Sequence, residues 1–146
     1  MKKFVFTLQT LYDVTISEEK QLKLKMKKIE ERLTALVNGQ RELERRFSDA
    51  KTRSAKEMLQ GVSSDRLVQY GRYFEYLTDA MRAQQKKIHQ TENERARCLQ
   101  EQIAIKKKIR TYEKLRKSQY EAYLQEAKLE AEKEIGDIVS YQTATK

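Results

Sequence analysis

Residues 22–54 read LKLKMKKIEERLTALVNGQRELERRFSDAKTRS, and the spacing of their apolar side chains decides the fold. An apolar residue recurs at every third or fourth position, with polar exceptions at Gln40 and Ser54. Such steps align side chains along one stripe of a helix, and a stripe sustained over four or more heptads is typical of a coiled coil. Its members are Leu22, Met26, Ile29, Leu33, Leu36, Gln40, Leu43, Phe47, Ala50 and Ser54.

A second stripe with the same spacing begins at Leu67 and is weakest in its middle, at Thr91 and Arg95. A local shift of helical phase there would bring Leu99 and Ile103 into the stripe. This second pattern predicts another long helix. Its members are Leu67, Tyr70, Phe74, Leu77, Met81, Gln84, Ile88, Thr91, Arg95, Cys98, Gln102, Ile105, Ile109 and Tyr112.

The two stripes are separated by LQGVSSDRL, the best break in the chain. Gly61 suits the left-handed position after a helix, and Ser63 or Ser64 can cap the next one, with Asp65 in its first turn. A short connection between long helices makes them antiparallel neighbours. We therefore predict an all-α fold, a long antiparallel two-helix coiled-coil hairpin with a C-terminal helical extension. The predicted boundaries within one domain, residues 1–146, are helix 1 at about 4–59, a turn at about 60–64, helix 2 at about 65–138 and a tail at 139–146.

The composition agrees with a slender helical array. Of 146 residues, 36% are charged and 38% hydrophobic, and Pro and Trp are absent. A compact globule of this length carries a larger apolar fraction, and a disordered chain lacks sustained periodicity. The net charge of +9 indicates either an anionic partner or a solvated coiled-coil exterior. The single cysteine, Cys98, excludes an intrachain disulfide and fits a reducing compartment.

The opening stretch FVFTLQTLY, residues 4–12, allows three interpretations: a targeting signal, a first strand or the start of the first helix. Polar Thr7, Gln9 and Thr10 interrupt the run too early for a signal peptide, and no window is long and apolar enough to span a membrane. Alternation ends after three residues, which disfavours a strand. We predict a helix that closes the open end of the hairpin. If position x faces about 124 − x, the stretch lies beside 109–115.

The charge of the chain changes sign near its C-terminus. Residues 106–117, KKKIRTYEKLRK, hold seven basic side chains and one acidic side chain, whereas residues 118–139 hold six acidic and two basic ones. We name residues 106–117 the basic belt. It is either a binding surface or a solvated helix face, and an acidic helical extension follows it.

No enzyme motif is present in the sequence. It contains one histidine, His89, next to the stripe residue Ile88, and it has no phosphate-binding glycine loop, zinc-protease motif or paired-cysteine motif. A two-helix hairpin also has no cavity in which to desolvate a pair of carboxylates. We therefore predict a non-enzyme without cofactor or metal.

The two ends of the chain resemble the flagellar FliJ family. The start matches F-x-F-x-L-Q-x-L, and the C-terminal stretch resembles the pattern E-K-L … E-Y … E … K-E-x-D-E, with departures at Gly136 and Ile138. The length and the position of the turn also agree. The residues that carry the resemblance are Phe4, Phe6, Leu8, Gln9, Leu11, Glu113, Lys114, Leu115, Glu121, Tyr123, Glu126, Lys133, Glu134 and Asp137.

The resemblance implies a soluble stalk-like component of the flagellar type III protein export apparatus, cytoplasmic and peripherally associated with the inner membrane only through its partners. Those partners would be the hexameric export ATPase, whose ring assembly and activity the protein promotes, the cytoplasmic domain of the export gate, and export chaperones. The implied ATPase-binding residues are Phe4, Phe6, Leu8 and Leu11. The implied export-gate-binding residues are Leu36, Tyr70, Tyr73, Leu77 and Ala80.

Three other functions fit the sequence. The first is the equivalent stalk protein of a virulence type III secretion system. The second is a basic coiled-coil protein that binds nucleic acid, although Tyr112 alone interleaves the basic belt and we expect no nucleic-acid partner. The third is a dimeric scaffold in which two chains pair. Strongly salt-dependent binding would identify the second, and the mass in solution would identify the third.

Overall fold

The structure is a computed structural model that describes residues 2–145. It contains two helices, α1 (Gln9–Gln60) and α2 (Ser64–Ala144), which pack as an antiparallel hairpin. No strand occurs within residues 2–145. The predicted all-α hairpin is therefore confirmed.

The described chain divides into two compact units. One unit is Leu22–Glu101, and the other combines the residues up to Gln21 with those from Gln102 onward. We call them the turn unit and the terminal unit. The expectation of one domain across the whole chain stays a prediction.

The turn between the helices forms as the sequence predicts. Gly61 adopts φ = 89°, a left-handed conformation that glycine enters without a Cβ penalty, and its N–H donates to the carbonyl of Met58. The Ser63 hydroxyl accepts a hydrogen bond from the backbone N–H of Arg66, so Ser63 caps α2. The connection occupies residues 61–63, which is shorter than the predicted 60–64.

The stripes form the core of the turn unit. Every residue of the first stripe is buried or half-buried. Met26, Ile29 and Cys98 form a buried cluster, against which Leu22 packs, and Leu77 has no exposed surface. Because core positions on both helices come from the predicted stripes, the 3-4 spacing identified the packed faces correctly.

Leu67 and Arg95 are exceptions, since both are exposed. Arg95 points outward and pairs with Glu30 at 3.5 Å. Thr91 is buried, and its hydroxyl donates to the carbonyl of Lys87. The helices therefore pack together at the polar centre of the second stripe, because the buried hydroxyl there has a hydrogen-bond partner.

The alternative helical phase that would bring Leu99 and Ile103 into the stripe is therefore not adopted. Leu99 in the turn unit and Ile103 in the terminal unit both stay exposed.

The predicted start of the first helix at residue 4 is also wrong. Residues 2–6 have no regular structure, Thr7 and Leu8 form a turn, and α1 begins at Gln9. Phenylalanine, valine and threonine are modest helix formers, and an irregular path lets Phe4 reach aromatic rings on α2. The gain from packing these rings outweighs the few hydrogen bonds that one more helical turn would add.

The register of the terminal unit follows the rule that x faces about 124 − x. Tyr12 contacts Tyr112 with ring centroids 6.5 Å apart, and Phe4 contacts Tyr120 and Tyr123 at 5.2 and 5.6 Å. The opening stretch thus lies beside residues 112–123. The predicted span of 109–115 is wrong, because under this rule residues 4–12 face 112–120.

The second helix extends to Ala144, six residues beyond the predicted end. No proline interrupts it, and Gly136 reduces helix stability without ending the helix. Residues 139–144 of the predicted tail are therefore helical. Lys146, the last residue of that tail, lies outside the described residues.

Candidate functional site

The N-terminal segment, residues 2–8, is the first candidate surface. The Tyr123 hydroxyl donates a 2.7 Å hydrogen bond to the backbone carbonyl of Lys2, and the Phe4 ring packs edge-on against Tyr120. Phe6 is buried. These contacts attach the segment to α2 in one orientation.

The four predicted ATPase-binding residues differ in accessibility. Phe6 is buried, Phe4 and Leu8 are half-buried, and Leu11 is 51% exposed on the first turn of α1. Leu11 does not lie on the packed face of α1, where Tyr12 is half-buried against Tyr112 and Thr15 is buried. Phe4 and Phe6 therefore position the segment, and Leu11 presents apolar surface to solvent.

Val5 is a surface residue that the sequence pattern did not identify. It is 74% exposed, between Phe4 and Phe6, which both pack inward. Side chains of an extended segment alternate between its two sides. The alternation at residues 4–6 would have identified Val5 as the outward residue if the segment had been predicted as non-helical.

Basic side chains lie beside this segment. Arg116 and Lys117 line an open groove together with Phe4, Glu113 and Tyr120. Every basic residue of the basic belt, 106–117, is exposed. The surface of the terminal unit around Phe4 therefore combines apolar side chains with positive charge.

The predicted gate-binding residues all belong to the turn unit. Tyr70 and Tyr73 line one open groove with Arg53 and Arg66. Ala80 is half-buried, and it lies one helical turn before Gln84, which meets the carbonyl of Leu36.

Leu77 belongs to the same predicted set, but its side chain is fully buried. Its side chain is therefore not available for direct contact with a partner.

An ion pair and a cation–π contact fix one edge of this groove. Arg66 donates two hydrogen bonds of 3.2 Å to the carboxylate of Glu57, and its guanidinium lies 5.0 Å from the centre of the Tyr70 ring. The bond from Arg66, with a second contribution from Tyr70, lowers the pKa of Glu57 below its ordinary range. Arg66 therefore links Glu57 of α1 to the Tyr70 ring of α2.

Metal-binding and membrane-spanning features are absent from residues 2–145. No group of three or more His, Cys, Asp or Glu side chains in this range could hold a metal ion. His89 is exposed and Cys98 is buried and unpaired. Neither helix of the described range is long and apolar enough to cross a membrane.

Comparison with models of known protein families gives a match. A family model described as "Flagellar FliJ protein" matches residues 4–146, nearly the whole chain. Comparison with curated proteins and with solved structures gave no match. Because the family model covers more than half of the chain, the chain belongs to the flagellar FliJ family and is a protein associated with flagellar export.

Proposed function

We propose that this chain is a non-catalytic, stalk-like component of the flagellar type III export apparatus. It binds the hexameric export ATPase, promotes assembly and activity of the ring, and links the ring to the export gate and to export chaperones. It acts in the cytoplasm and reaches the inner membrane only through these partners. The family description favours the flagellar system over a virulence system.

The observation that carries the proposal is the attachment of residues 2–8 to α2. The inward Phe4 and Phe6 leave Val5 and Leu11 facing outward. We assign these two exposed apolar side chains to the contact with the ATPase, and the neighbouring basic belt suits a partner with acidic side chains. Of the four proposed ATPase-binding residues, Leu11 makes direct contact, whereas Phe4, Phe6 and Leu8 hold the segment in place.

The test is ATP hydrolysis by the export ATPase, titrated with this protein. The full chain should stimulate hydrolysis, and a chain lacking residues 1–12 should not. Leu11→Ser should weaken stimulation with little change in stability, because an exposed substitution moves the free energy of unfolding by about 0.5 kcal/mol or less.

Leu24→Ser is the matched control, because Leu24 is also an exposed leucine of α1 but belongs to the turn unit. It should stimulate hydrolysis as the unmodified chain does. Failure of the folded full-length chain to stimulate hydrolysis would exclude the proposal.

For the export gate, we propose contact through Leu36, Tyr70, Tyr73 and Ala80, with Leu77 as their buried support. The groove at Tyr70 and Tyr73 combines two aromatic rings with arginine side chains, a composition common at protein interfaces. Binding of the isolated cytoplasmic domain of the gate, measured by calorimetry, tests this assignment separately from ATPase stimulation.

A further inference from the structure

Two charged stripes run along α2 within the terminal unit. In each stripe, successive residues are separated by four, four and three positions, so that the side chains share one helix face. The basic stripe is Lys106, Arg110, Lys114 and Lys117. The acidic stripe is Glu126, Glu130, Glu134 and Asp137.

Neither stripe contains an ion-paired side chain within the described residues, although Glu113 and Glu121 lie near the basic stripe and Lys133 lies near the acidic stripe. All eight side chains are exposed, and none of them forms an ion pair with another residue of 2–145. Glu126 and Glu130 line an open groove with Lys2 and Lys3, outside ion-pair distance. Like charges four residues apart destabilise an isolated helix, so opposite charge from another molecule would stabilise both stripes.

The acidic stripe lies on the part of α2 that α1 does not cover. The N-terminal segment makes its last aromatic contact at Tyr123, and all side chains from 128 to 145 are exposed. Apolar residues accompany the carboxylates there. Ile138 is exposed, and Tyr141 is 72% exposed one helical turn beyond Asp137. An exposed apolar face beside fixed charges is suited to a helical partner.

We propose that the acidic stripe of one copy binds the basic stripe of a second copy, with the two α2 helices antiparallel. In each resulting ion pair, the two residue numbers add to 243 or 244. The same register places Tyr141 of one copy over the exposed Ile103 of the other, whereas a parallel alignment separates these two side chains. The four pairs are Glu126 with Lys117, Glu130 with Lys114, Glu134 with Arg110, and Asp137 with Lys106.

The contact joins two different surfaces. Equivalent residues of the stripes are twenty positions apart, which at about 100° per residue places them on nearly opposite faces of α2. Each copy therefore keeps one free stripe after pairing. Such heterologous contacts extend beyond a dimer when they do not close, so the average mass should keep rising with concentration.

Sedimentation equilibrium of the full chain tests the proposal. At about 0.1 M salt, where charges are screened over about 10 Å, the average mass should exceed the 17.4 kDa of one chain and rise with concentration. At roughly 1 M salt, with screening over about 3 Å, it should return to one chain. A mass of one chain at every concentration in 0.1 M salt would overturn the proposal.

Charge reversal identifies the surfaces. One variant carries Glu126→Lys, Glu130→Lys, Glu134→Lys and Asp137→Lys, and a second carries Lys106→Glu, Arg110→Glu, Lys114→Glu and Lys117→Glu. Each should sediment as a single chain, and an equimolar mixture should associate again, because each variant keeps one native stripe.

A third variant is the matched control. It reverses four exposed carboxylates elsewhere, at Glu31, Glu44, Glu75 and Glu92, and changes net charge equally. It should associate as the unmodified chain does, and circular dichroism should show equal helix content in all variants. Unchanged association of the first variant, or no association in the mixture, would overturn the proposal.

Cross-linking tests the antiparallel register. In one chain, Ile103 and Tyr141 lie 38 residues apart on α2, about 57 Å along the helix, beyond the reach of a disulfide. Ile103→Cys mixed with Tyr141→Cys should form a disulfide between copies. Association without this disulfide would overturn the antiparallel register.

Discussion

The side-chain amide of Gln84 donates a 2.9 Å hydrogen bond to the backbone carbonyl of Leu36, across the hairpin of the turn unit. The same amide lies where a side chain on Gly39 would point, 2.8 Å from the position that a Cβ would occupy. Gln40 adds a buried side-chain oxygen without a partner within residues 2–145. This polar layer in an apolar stripe favours one register, as polar core residues do in coiled coils.

Gly39→Ala should stabilise the protein less than Gly71→Ala does. Either change replaces a glycine inside a helix by alanine, which should raise the free energy of unfolding by about 1 kcal/mol. At Gly39 the new Cβ displaces the Gln84 amide, and the hydrogen bond of that amide to Leu36 is lost. This loss costs about 1 kcal/mol. The net change in the free energy of unfolding should therefore be near zero. At Gly71 nothing lies within 4 Å, and the full gain should remain. Denaturant unfolding of both variants measures the difference, and equal stabilisation would contradict the role of Gln84.

The sequence predicted the packed faces in the turn unit well, because the hydrophobic pattern there matches the helical period. It also predicted the turn, since Gly61 and Ser63 have local conformational preferences that act without tertiary contacts. Both are short-range properties that a single sequence contains.

The N-terminal segment was predicted wrongly because long-range contacts decide its conformation. The hydrogen bond from Tyr123 to Lys2 and the ring contacts of Phe4 join residues more than a hundred positions apart. Local helix propensity gives no information about them.

The carboxyl group of Glu42 should titrate at a pH near 2. Hydrogen bonds from Arg45 and then Arg46 lower its pKa from 4.5 to about 2. Because the folded pKa lies below the unfolded one, this group stabilises the fold above pH 4.5, and that contribution is lost as the pH falls toward 2. Carbon-detected NMR of the side-chain carboxyl measures the midpoint. Arg45→Gln should raise it, and a midpoint near 4.5 in the unmodified chain would argue against the pairing.

The thiol of Cys98 should react slowly with iodoacetamide, because the reagent reaches it only when the two helices separate locally. Cys98 is buried against Met26 and Ile29, and its Sγ lies 3.8 Å from the carbonyl oxygen of Leu22. Alkylation therefore requires local unfolding. Ile29→Ala should cost about 2–5 kcal/mol and raise the labelling rate at least tenfold.

The control for this experiment is Leu24→Ala, which changes an exposed side chain of the same helix. Its labelling rate should equal that of the unmodified chain. Rapid labelling of the native protein, at the rate of a free thiol, would show that this cluster is not closed in solution.

Leu77→Ala and Tyr73→Ala should separate stability from gate binding, if the proposed function is correct. Leu77 is fully buried, so its truncation should lower the free energy of unfolding by about 2–5 kcal/mol. Tyr73 is half-buried at an open groove, so its truncation should cost less stability and weaken binding to the gate domain by tenfold or more. Leu129→Ala, at an exposed leucine of the terminal unit, should leave both unchanged. Calorimetry measures binding to the gate domain, and denaturant unfolding measures stability. A Tyr73→Ala chain that binds the gate domain with unchanged affinity would show that Tyr73 does not belong to the contact surface.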